Sequence, residues 1–405
     1  MKISEAVIKF SQAGRVGTLF GAFCHFLSST TVWVTIGALA NHLAEDFSLS
    51  PIQTGLLVAT PILSGSLLRI PLGLASDRFG AKVTGTVTLA LTLIPLFLLW
   101  LAATSVEALF LFSFLLGIGG ASFAVALPMA SRAYPSQYQG LVLGIVGAGN
   151  GGTAIATLFA PRLAERLGWH GVFGVAIVLI LVTLAVFHFA AHEQARAQTG
   201  LRLRVYLAVL KESDTWRFSL FYMVTFGGFV GLASFLGYFF YDQYGVSKVM
   251  AGNLTALCVF GGSLTRPIGG LLADRYGGIR TLAVLYGVVA VAMLLLGQRL
   301  PLTWAVASLF VATAVLGMGN GAVFQLVPQR FSKEIGVVTG LVGAVGGFGG
   351  FLLPFLLGLA KQSMGSYSSG FMFLGLAAAA CLALLVYVER EWRRDWAREE
   401  VGVPL

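Results

Sequence analysis

A sixteen-residue stretch of this chain occurs twice, and the repeat constrains the fold more than any other feature. Residues 65–80 read GSLLRIPLGLASDRFG and residues 262–277 read GSLTRPIGGLLADRYG, with nine identical positions at a constant offset of 197 residues. Each copy places one arginine, Arg69 or Arg266, in an otherwise apolar segment. A two-fold repeat in an apolar chain is typical of membrane transporters, and two buried arginines indicate an anionic substrate.

The composition predicts an all-α integral membrane protein. Of the 405 residues, 57% are hydrophobic and 11% are charged, whereas a soluble domain carries about 25% charged residues. The apolar runs have the length of about 20 residues that membrane helices require, and they lack the alternation of barrel strands. We predict twelve transmembrane helices, called spans 1 to 12, at 17–42, 52–75, 83–103, 107–131, 139–161, 171–190, 217–242, 248–273, 280–299, 303–329, 335–360 and 369–389.

The similarity between the two parts of the chain predicts two pseudo-symmetric halves of six helices. Spans 4 and 10 match at an offset of 200, as in Gly119 and Gly319, and so do spans 5 and 11, as in Gly147 and Gly347. Such halves are related by an axis along the membrane normal, with the substrate near mid-depth between them. The predicted units are an N-terminal half at 1–190, a polar cytoplasmic linker at 191–216, and a C-terminal half with a cytoplasmic tail at 217–405.

The distribution of basic residues predicts the orientation in the cell membrane. With a cytoplasmic N-terminus, the cytoplasmic loops and both tails hold nineteen of the 26 lysines and arginines, and the outer loops hold five. This asymmetry satisfies the positive-inside rule and places both termini in the cytoplasm. The net charge of +9 therefore reflects the topology, because the basic loops face the anionic lipid headgroups. It does not indicate nucleic-acid binding.

The depth of the two arginines makes them candidate substrate ligands. Arg69 lies eight residues before Asp77, about 12 Å along a helix, and Arg266 has the same spacing to Asp274. A charge near mid-depth costs at least about 2.5–3.5 kcal/mol on insertion scales, so it serves a function or pairs with a buried carboxylate. No acidic residue falls near the centre of a span. An anion between the arginines would relieve both penalties, and paired guanidinium donors suit carboxylate, nitrate or nitrite.

Two glycine runs occupy matched positions in spans 5 and 11. Gly147, Gly149 and Gly152 match the dinucleotide pattern G-x-G-x-x-G, but they lie inside a membrane span, whereas that motif must follow a soluble strand. Close helix packing explains most of these glycines. Their recurrence at matched positions leaves a second interpretation open, in which they permit the helices to slide during gating.

The end of each repeat resembles the signature loop of the major facilitator superfamily. Both copies read Gly-x-x-x-Asp-Arg-x-Gly, between spans 2 and 3 and between spans 8 and 9. The resemblance implies a conformational latch whose charges pair and separate as the halves move. The alternative is a tight turn with a surface ion pair. The latch residues would be Asp77, Arg78, Asp274 and Arg275.

The glycine runs and paired arginines together resemble the nitrate/nitrite porter family of that superfamily. Residues 147–152 match its first nitrate signature, residues 340–351 match the second, and 225–231 are similar to its seventh span. The resemblance covers the transmembrane region and implies that the arginines clamp the anion. It further implies an amide donor at Asn150, pocket walls at Phe123, Tyr222 and Phe226, and gating glycines at Gly147, Gly149, Gly152, Gly343, Gly346 and Gly347.

Two ways of driving transport remain open at this point. Family members either exchange nitrate for nitrite or import nitrate with protons. An empty site with two facing arginines is poorly stabilised, and no buried carboxylate is available to carry a proton, which favours exchange. The compact chain resembles the symporting branch, and His25 in span 1 is a candidate proton site because histidine titrates near neutral pH. A lone membrane histidine more often hydrogen-bonds a neighbouring helix.

Several other functions are weighed against nitrate or nitrite transport. A carrier of formate or a short carboxylate would also suit the arginines, and a non-transporting membrane sensor would share the fold. A drug exporter is disfavoured because the arginines lack acidic companions. We predict no enzyme activity, no cofactor and no metal site, since no nucleophile–base pair or metal-ligand spacing is present and the three cysteines all fall within spans. We expect the chain to function as a monomer.

Overall fold

A computed structural model describes residues 9–135, 138–192, 208–331 and 335–399. The described chain is helical and forms twelve membrane spans, as predicted. The bounds are Val16–Trp33, Thr35–Ala38 and Ala40–Asp46 for span 1; Pro51–Phe79 for span 2; Ala81–Leu101 for span 3; Val106–Leu116, Gly117–Ala121 and Phe123–Arg132 for span 4; Gln139–Gly147, Ala148–Gly151 and the first part of Gly152–Ala190 for span 5; the remainder of that helix for span 6; Ser213–Tyr222, Met223–Gly227 and Gly228–Tyr244 for span 7; Lys248–Tyr276 for span 8; Gly278–Leu296 for span 9; Leu302–Arg330 for span 10; Ile335–Met364 for span 11; and Ser368–Glu399 for span 12.

The helix Gly152–Ala190 contains two spans that reverse direction at Gly168. That glycine adopts φ 70°, ψ 161°, a conformation that residues with a side chain rarely adopt. A methyl group at Gly152 would overlap the carbonyl oxygen of Leu27, while Thr183 donates a hydrogen bond to the Ser28 hydroxyl at 2.7 Å. Two positions 31 residues apart thus contact the same turn of span 1, which requires the chain to turn back. Within the described ranges, ten helical segments are long and apolar enough to cross a membrane. One of them contains both span 5 and span 6, and span 1 is not among the ten because it is broken into shorter helices, so the total is twelve.

Spans 2 and 8, the two helices that carry the repeated sequence, begin and end in the same way. Spans 2 and 8 start at the N-caps Ser50 and Ser247, whose hydroxyls accept hydrogen bonds from backbone amides of the first turn. They end at Gly80 and Gly277, whose φ angles are 98° and 90°. A glycine is needed there because a positive φ is strained for residues with a Cβ. The final glycine of each repeat therefore has a structural role of its own.

Repeated glycines also set the packing inside each half. A methyl group at Gly65 in span 2 would lie 2.7 Å from the carbonyl oxygen of Gly117 in span 4, and one at Gly317 in span 10 would overlap the carbonyl of Gly262 in span 8. Backbones approach this closely in membranes because small residues replace side chains at the contact. The same pair of helices thus meets at the same pair of glycines in both halves.

One set of contacts between the halves lies at one end of the molecule. We call the end that holds the starts of spans 1 and 7 the terminal side, and the other the opposite side. On the opposite side, among the residues described, Glu45 accepts from Lys248 and from the Tyr241 hydroxyl, and Asn41 donates to the carbonyl of Gly237 at 3.1 Å. Spans 2 and 11 also pack along this end, where a methyl group at Gly55 would overlap the carbonyl of Pro354. The two halves are therefore closed on the opposite side.

The predicted linker at 191–216 lies mostly outside the described residues, which omit 193–207. Its last part is described, and span 7 begins within it, at Ser213 rather than at 217. Asp214 is buried there and accepts hydrogen bonds from Arg217, from Arg330 and from the indole of Trp392. These bonds tie the start of span 7 to the ends of spans 10 and 12. The division into halves at 1–190 and 217–405 stays a prediction.

Candidate anion site between the halves

Arg69 and Arg266 converge on one aromatic ring between the halves. The guanidinium carbon of Arg69 lies 5.6 Å from the centroid of Phe123, and that of Arg266 lies 5.8 Å from the same centroid. The two guanidinium carbons are therefore at most about 11.4 Å apart, the sum of these distances. Each arginine lies on its own half, in the second span of that half. The structure thus brings together the two arginines that the repeat singled out.

Arg69 is fixed by both halves of the protein. Its side chain is buried, at 3% exposure. The Nε donates to the carbonyl of Gly120 at 3.3 Å, within its own half, and Nη1 donates to the carbonyl of Gly343 at 2.6 Å, across the interface. The rings of Trp33 and Phe226 lie 5.9 and 4.8 Å from its guanidinium carbon, within the range of cation–π attraction. Arg69 is consequently held in one orientation.

Arg266 is held much less completely. Its Nη1 is buried and has no hydrogen-bond partner, although a charged donor without an acceptor is costly in a protein interior. The phenol of Tyr222 interacts with both guanidinium groups and lies within hydrogen-bonding reach of Arg266. Neither arginine forms an ion pair with a carboxylate in the part of the chain that the structure describes. The site therefore presents two cations, one of which has an unused donor.

Aromatic side chains enclose the site on several sides. Tyr222 and Phe226 stack with their centroids 5.0 Å apart and their planes at 3°. Phe324 in span 10 contacts Tyr222 at 4.7 Å and Phe123, on the other half, at 6.4 Å. Phe324 was not singled out from the sequence, because a phenylalanine in an apolar span carries no distinguishing signal. It bridges the halves on the terminal side of the arginines.

Helix irregularities lie next to the predicted site residues. A 3₁₀ turn at Gly117–Ala121 precedes Phe123, another at Ala148–Gly151 contains Asn150, and a π-helical turn at Met223–Gly227 follows Tyr222. Such departures from α-helical geometry are frequent at functional sites. The turn containing Asn150, which is buried, packs against span 8 of the other half.

Some of the predicted gating glycines are tightly packed, and others have free space around them. A methyl group at Gly346 would overlap the Tyr222 ring, and one at Gly347 would overlap the Ser66 hydroxyl across the interface. At Gly149 and Gly152 it would meet span 1 within the same half. At Gly343 it would lie 3.7 Å from Arg69, an ordinary contact, and at Gly147 nothing lies within 4 Å. Gly347, in the second signature, therefore packs closely against span 2, whereas the equivalent Gly147, in the first signature, has open space around it.

The predicted latch residues differ between the halves. Asp77 pairs with Arg132 at the end of span 4, with 2.5 Å between Oδ1 and Nη2, whereas Asp274 is exposed and forms no ion pair with another described side chain. The guanidinium groups of Arg78 and Arg275 lie over the adjacent rings of Phe79 and Tyr276. Arg132 was not predicted, since an arginine at the end of a span is also expected from topology alone.

His25 lies apart from the arginines. Its ring is fully buried, its Nε2 is 3.3 Å from the carbonyl of Gly85 in span 3, and its centroid is 4.9 Å from that of Phe187 in span 6. Nδ1 has no partner. The contacts are those of a histidine that joins three helices of one half.

Comparison with known proteins assigns the chain to a family. The Major Facilitator Superfamily model matches residues 21–354 and 220–401. A relative named "Nitrite extrusion protein", from Bacillus subtilis, is 37% identical over 361 residues, which cover 88% of this chain and 90% of that protein. This chain belongs to the nitrate/nitrite porter family of the major facilitator superfamily. It is a multi-pass membrane protein.

Other similar proteins agree with this membership. The "Probable nitrate/nitrite antiporter NarK1" of Thermus thermophilus is 31% identical, covering 92% of this porter and 91% of that protein. The "Probable nitrate transporter NarT" of Staphylococcus epidermidis is 30% identical, covering 89% and 92%. A bacterial homologue of the human lysosomal transporter Spinster, solved in an inward-facing and occupied conformation, superposes with a TM-score of 0.68 at 20% identity, covering 95% of this porter and 98% of that chain. That likeness shows the fold.

Proposed function

We propose that the protein carries nitrate and nitrite by alternating access, with the anion held between Arg69 and Arg266. The observation that carries the proposal is the convergence of two cations without a carboxylate on a site between two halves. The guanidinium carbons are at most about 11.4 Å apart, so at an effective dielectric constant of about 20 the two charges repel by at least about 1.5 kcal/mol. An anion midway between them is attracted four times as strongly as they repel, at any dielectric constant.

The shape of the site favours a small planar anion. Arg69 offers a planar fork with its plane fixed by two carbonyl oxygens, and the surrounding aromatic rings exclude water and restrict size. A guanidinium binds planar oxyanions through paired donors, which a lysine cannot reproduce. Formate and short carboxylates share this geometry, and the names of the relatives favour nitrate and nitrite.

We propose exchange as the driving mode. An unloaded carrier must hold the two arginines together without an anion, so its return is unfavourable and occupied return is preferred. In the described residues, carboxylates lie near the ends of spans and His25 contacts helices of its own half, so neither group is placed to take a proton from the site. Proton symport is the alternative.

The charge asymmetry supports an orientation with the terminal side in the cytoplasm. The opposite side, where the halves touch, then faces outward, and Phe324 lies between the site and the cytoplasm. A single chain supplies both arginines, which supports function as a monomer whose halves, 1–190 and 217–405, move relative to each other.

The proposal is tested by nitrate uptake into proteoliposomes. We expect uptake that requires internal nitrite or nitrate. A requirement for an inward proton gradient, with no need for internal anion, would establish symport instead. Uptake of formate without uptake of nitrate would overturn the substrate assignment.

Conservative substitutions test the arginine pair. Arg69→Lys and Arg266→Lys keep the charge but lose the fork, so each is expected to abolish nitrate uptake. The matched control is Arg166→Lys, which makes the same change at an exposed position and is expected to leave uptake unchanged. Near-normal uptake by either site variant would refute the clamp.

A further inference from the structure

Pseudo-symmetry assigns a neighbour to Arg266 that the family resemblance did not identify. Span 4 and span 10 correspond at an offset of 200, so Gly120 corresponds to Asn320. In the first half, the Gly120 carbonyl accepts a hydrogen bond from the Nε of Arg69. In the second half, Gly321 lies against the backbone of Arg266, since a methyl group there would overlap the Arg266 carbonyl. Asn320 thus occupies in span 10 the position that Gly120 occupies in span 4, and it is next in sequence to a residue that contacts Arg266.

The polar groups of Asn320 and Arg266 are complementary and unused. Asn320 is 1% exposed and its Oδ1 has no hydrogen-bond partner, and the buried Nη1 of Arg266 lacks an acceptor. A buried amide oxygen and a buried charged donor are each costly when left unpaired. One is an acceptor without a donor, and the other is a donor without an acceptor.

The face of span 10 that carries Asn320 is the face that contacts the site. Phe324 lies four residues later, hence on the same side of the helix, and it contacts both Tyr222 and Phe123. Gly319, one residue earlier, lies against Thr225 of the π-helical turn. Asn320 is therefore enclosed by spans 7 and 8 at the depth of the arginines.

We propose that Asn320 is a positioning residue for Arg266 in the anion-bound state, an inference that rests on the proposed function. The amide oxygen accepts from Arg266 Nη1, which fixes the plane of the guanidinium group that binds the anion. Arg69 needs no such side chain, because two backbone carbonyls already fix it. The second half thus uses a side chain where the first half uses the backbone.

Substitutions at Asn320 separate this role from packing. Asn320→Ala removes this bond, and we expect the KM for nitrate to rise about tenfold to hundredfold, as the loss of a hydrogen bond to a charged group implies, with little change in kcat. Asn320→Asp keeps the shape but supplies a fixed anion beside Arg266, so we expect the largest loss of nitrate affinity with folding retained.

The matched control is Gln325→Ala on the same helix. The Oε1 of Gln325 is also buried without a partner, but it lies against Gly278 of span 9, about 140° around the helix from Asn320 at 100° per residue. We expect its KM to stay within about twofold of the wild-type value.

Nitrate-dependent thermal stabilisation of the purified protein gives a second measurement that does not require turnover. The expected order of nitrate affinity is wild type, then Asn320→Ala, then Asn320→Asp. Equal nitrate dependence in all three proteins, or an Asn320→Ala effect no larger than that of Gln325→Ala, would overturn the inference. If the wild-type protein neither binds nor transports nitrate, the proposed function fails. If it transports nitrate and loses transport in Arg266→Lys but not in the Asn320 variants, the inference alone fails.

Discussion

Alanine at Gly347 and at Gly147 should have opposite consequences, although the two glycines occupy equivalent positions in the two signatures. A methyl group at Gly347 would overlap the hydroxyl of Ser66 on the other half and lie 2.9 Å from its Cβ, whereas at Gly147 nothing lies within 4 Å. Both residues are helical, so the conformational gain of alanine over glycine, about 0.4–1 kcal/mol, applies to both. The difference between the variants therefore isolates the contact with Ser66.

The size of that difference follows from how little Ser66 can move. Its side chain is 2% exposed, and its hydroxyl donates to the carbonyl of Ile62 at 2.7 Å, so rotation would sacrifice a buried hydrogen bond. Overpacking of this kind costs about 1–3 kcal/mol. The contact joins span 2 to span 11, so the cost falls on the conformation in which the halves meet on the opposite side. A shift of about 1–3 kcal/mol changes the ratio of two conformations by about 5- to 150-fold.

Thermal unfolding and nitrate exchange in proteoliposomes measure this effect. Gly147→Ala should match or exceed the wild-type unfolding temperature and transport normally. Gly347→Ala should unfold at a lower temperature and exchange nitrate more slowly, with inhibition relieved in Gly347→Ala/Ser66→Gly, which removes the overlapping hydroxyl. Equal unfolding temperatures and equal rates for the two single variants would refute the assignment of Gly347 to the interface between the halves.

Three further predictions concern charged or titratable groups away from the arginines. Glu45→Gln removes the ion pair with Lys248 on the opposite side. Because the pair is partly exposed, we expect the free energy of closure on that side to change by under about 1 kcal/mol. This would be seen as a small shift in the distance between spin labels on the opposite-side ends of spans 1 and 8, and complete opening would contradict it. Asp77→Asn should slow exchange without raising the KM for nitrate, because its partner Arg132 lies at the end of span 4, away from the arginine site. A raised KM with unchanged kcat would argue against a latch. His25→Ala should lower the unfolding temperature and leave the pH dependence of uptake unchanged, since the ring joins helices of one half; loss of pH dependence would restore His25 as a proton site.

The sequence predicted the architecture well because its signals are local and repeated. Apolar runs defined the spans, and the offset between the two copies paired the arginines of spans 2 and 8. The observed bounds differ mainly at the ends, as at Asp46 and Ser213, where polar residues continue a helix beyond the apolar core. Such extensions depend on tertiary partners, as with the bonds that bury Asp214.

The asymmetry of the site could not be read from the sequence. The repeat gives Arg69 and Arg266 similar surroundings along the chain, with nine of sixteen positions identical. Yet Arg69 donates to Gly343, which is 274 residues away, and Arg266 has an unpartnered donor. Contacts at that separation depend on how the halves meet. Phe324 and Arg132 were missed for the same reason, since their roles come from partners on other spans.

Under the proposed function, the bond between Arg69 and Gly343 would link anion binding to closure of the opposite side. It is charge-assisted, of the kind worth about 1.5–3 kcal/mol, and it joins span 2 to span 11 between Ser66 and the aromatic wall. Nη1 carries two N–H groups, and under the proposed cycle an anion that draws Nη1 of Arg69 toward itself would weaken the bond to this carbonyl. Loading then weakens a contact that holds the halves together, while the empty carrier keeps it. The same bond that orients the empty site would therefore resist the unloaded return, which is the behaviour that an obligate exchanger requires.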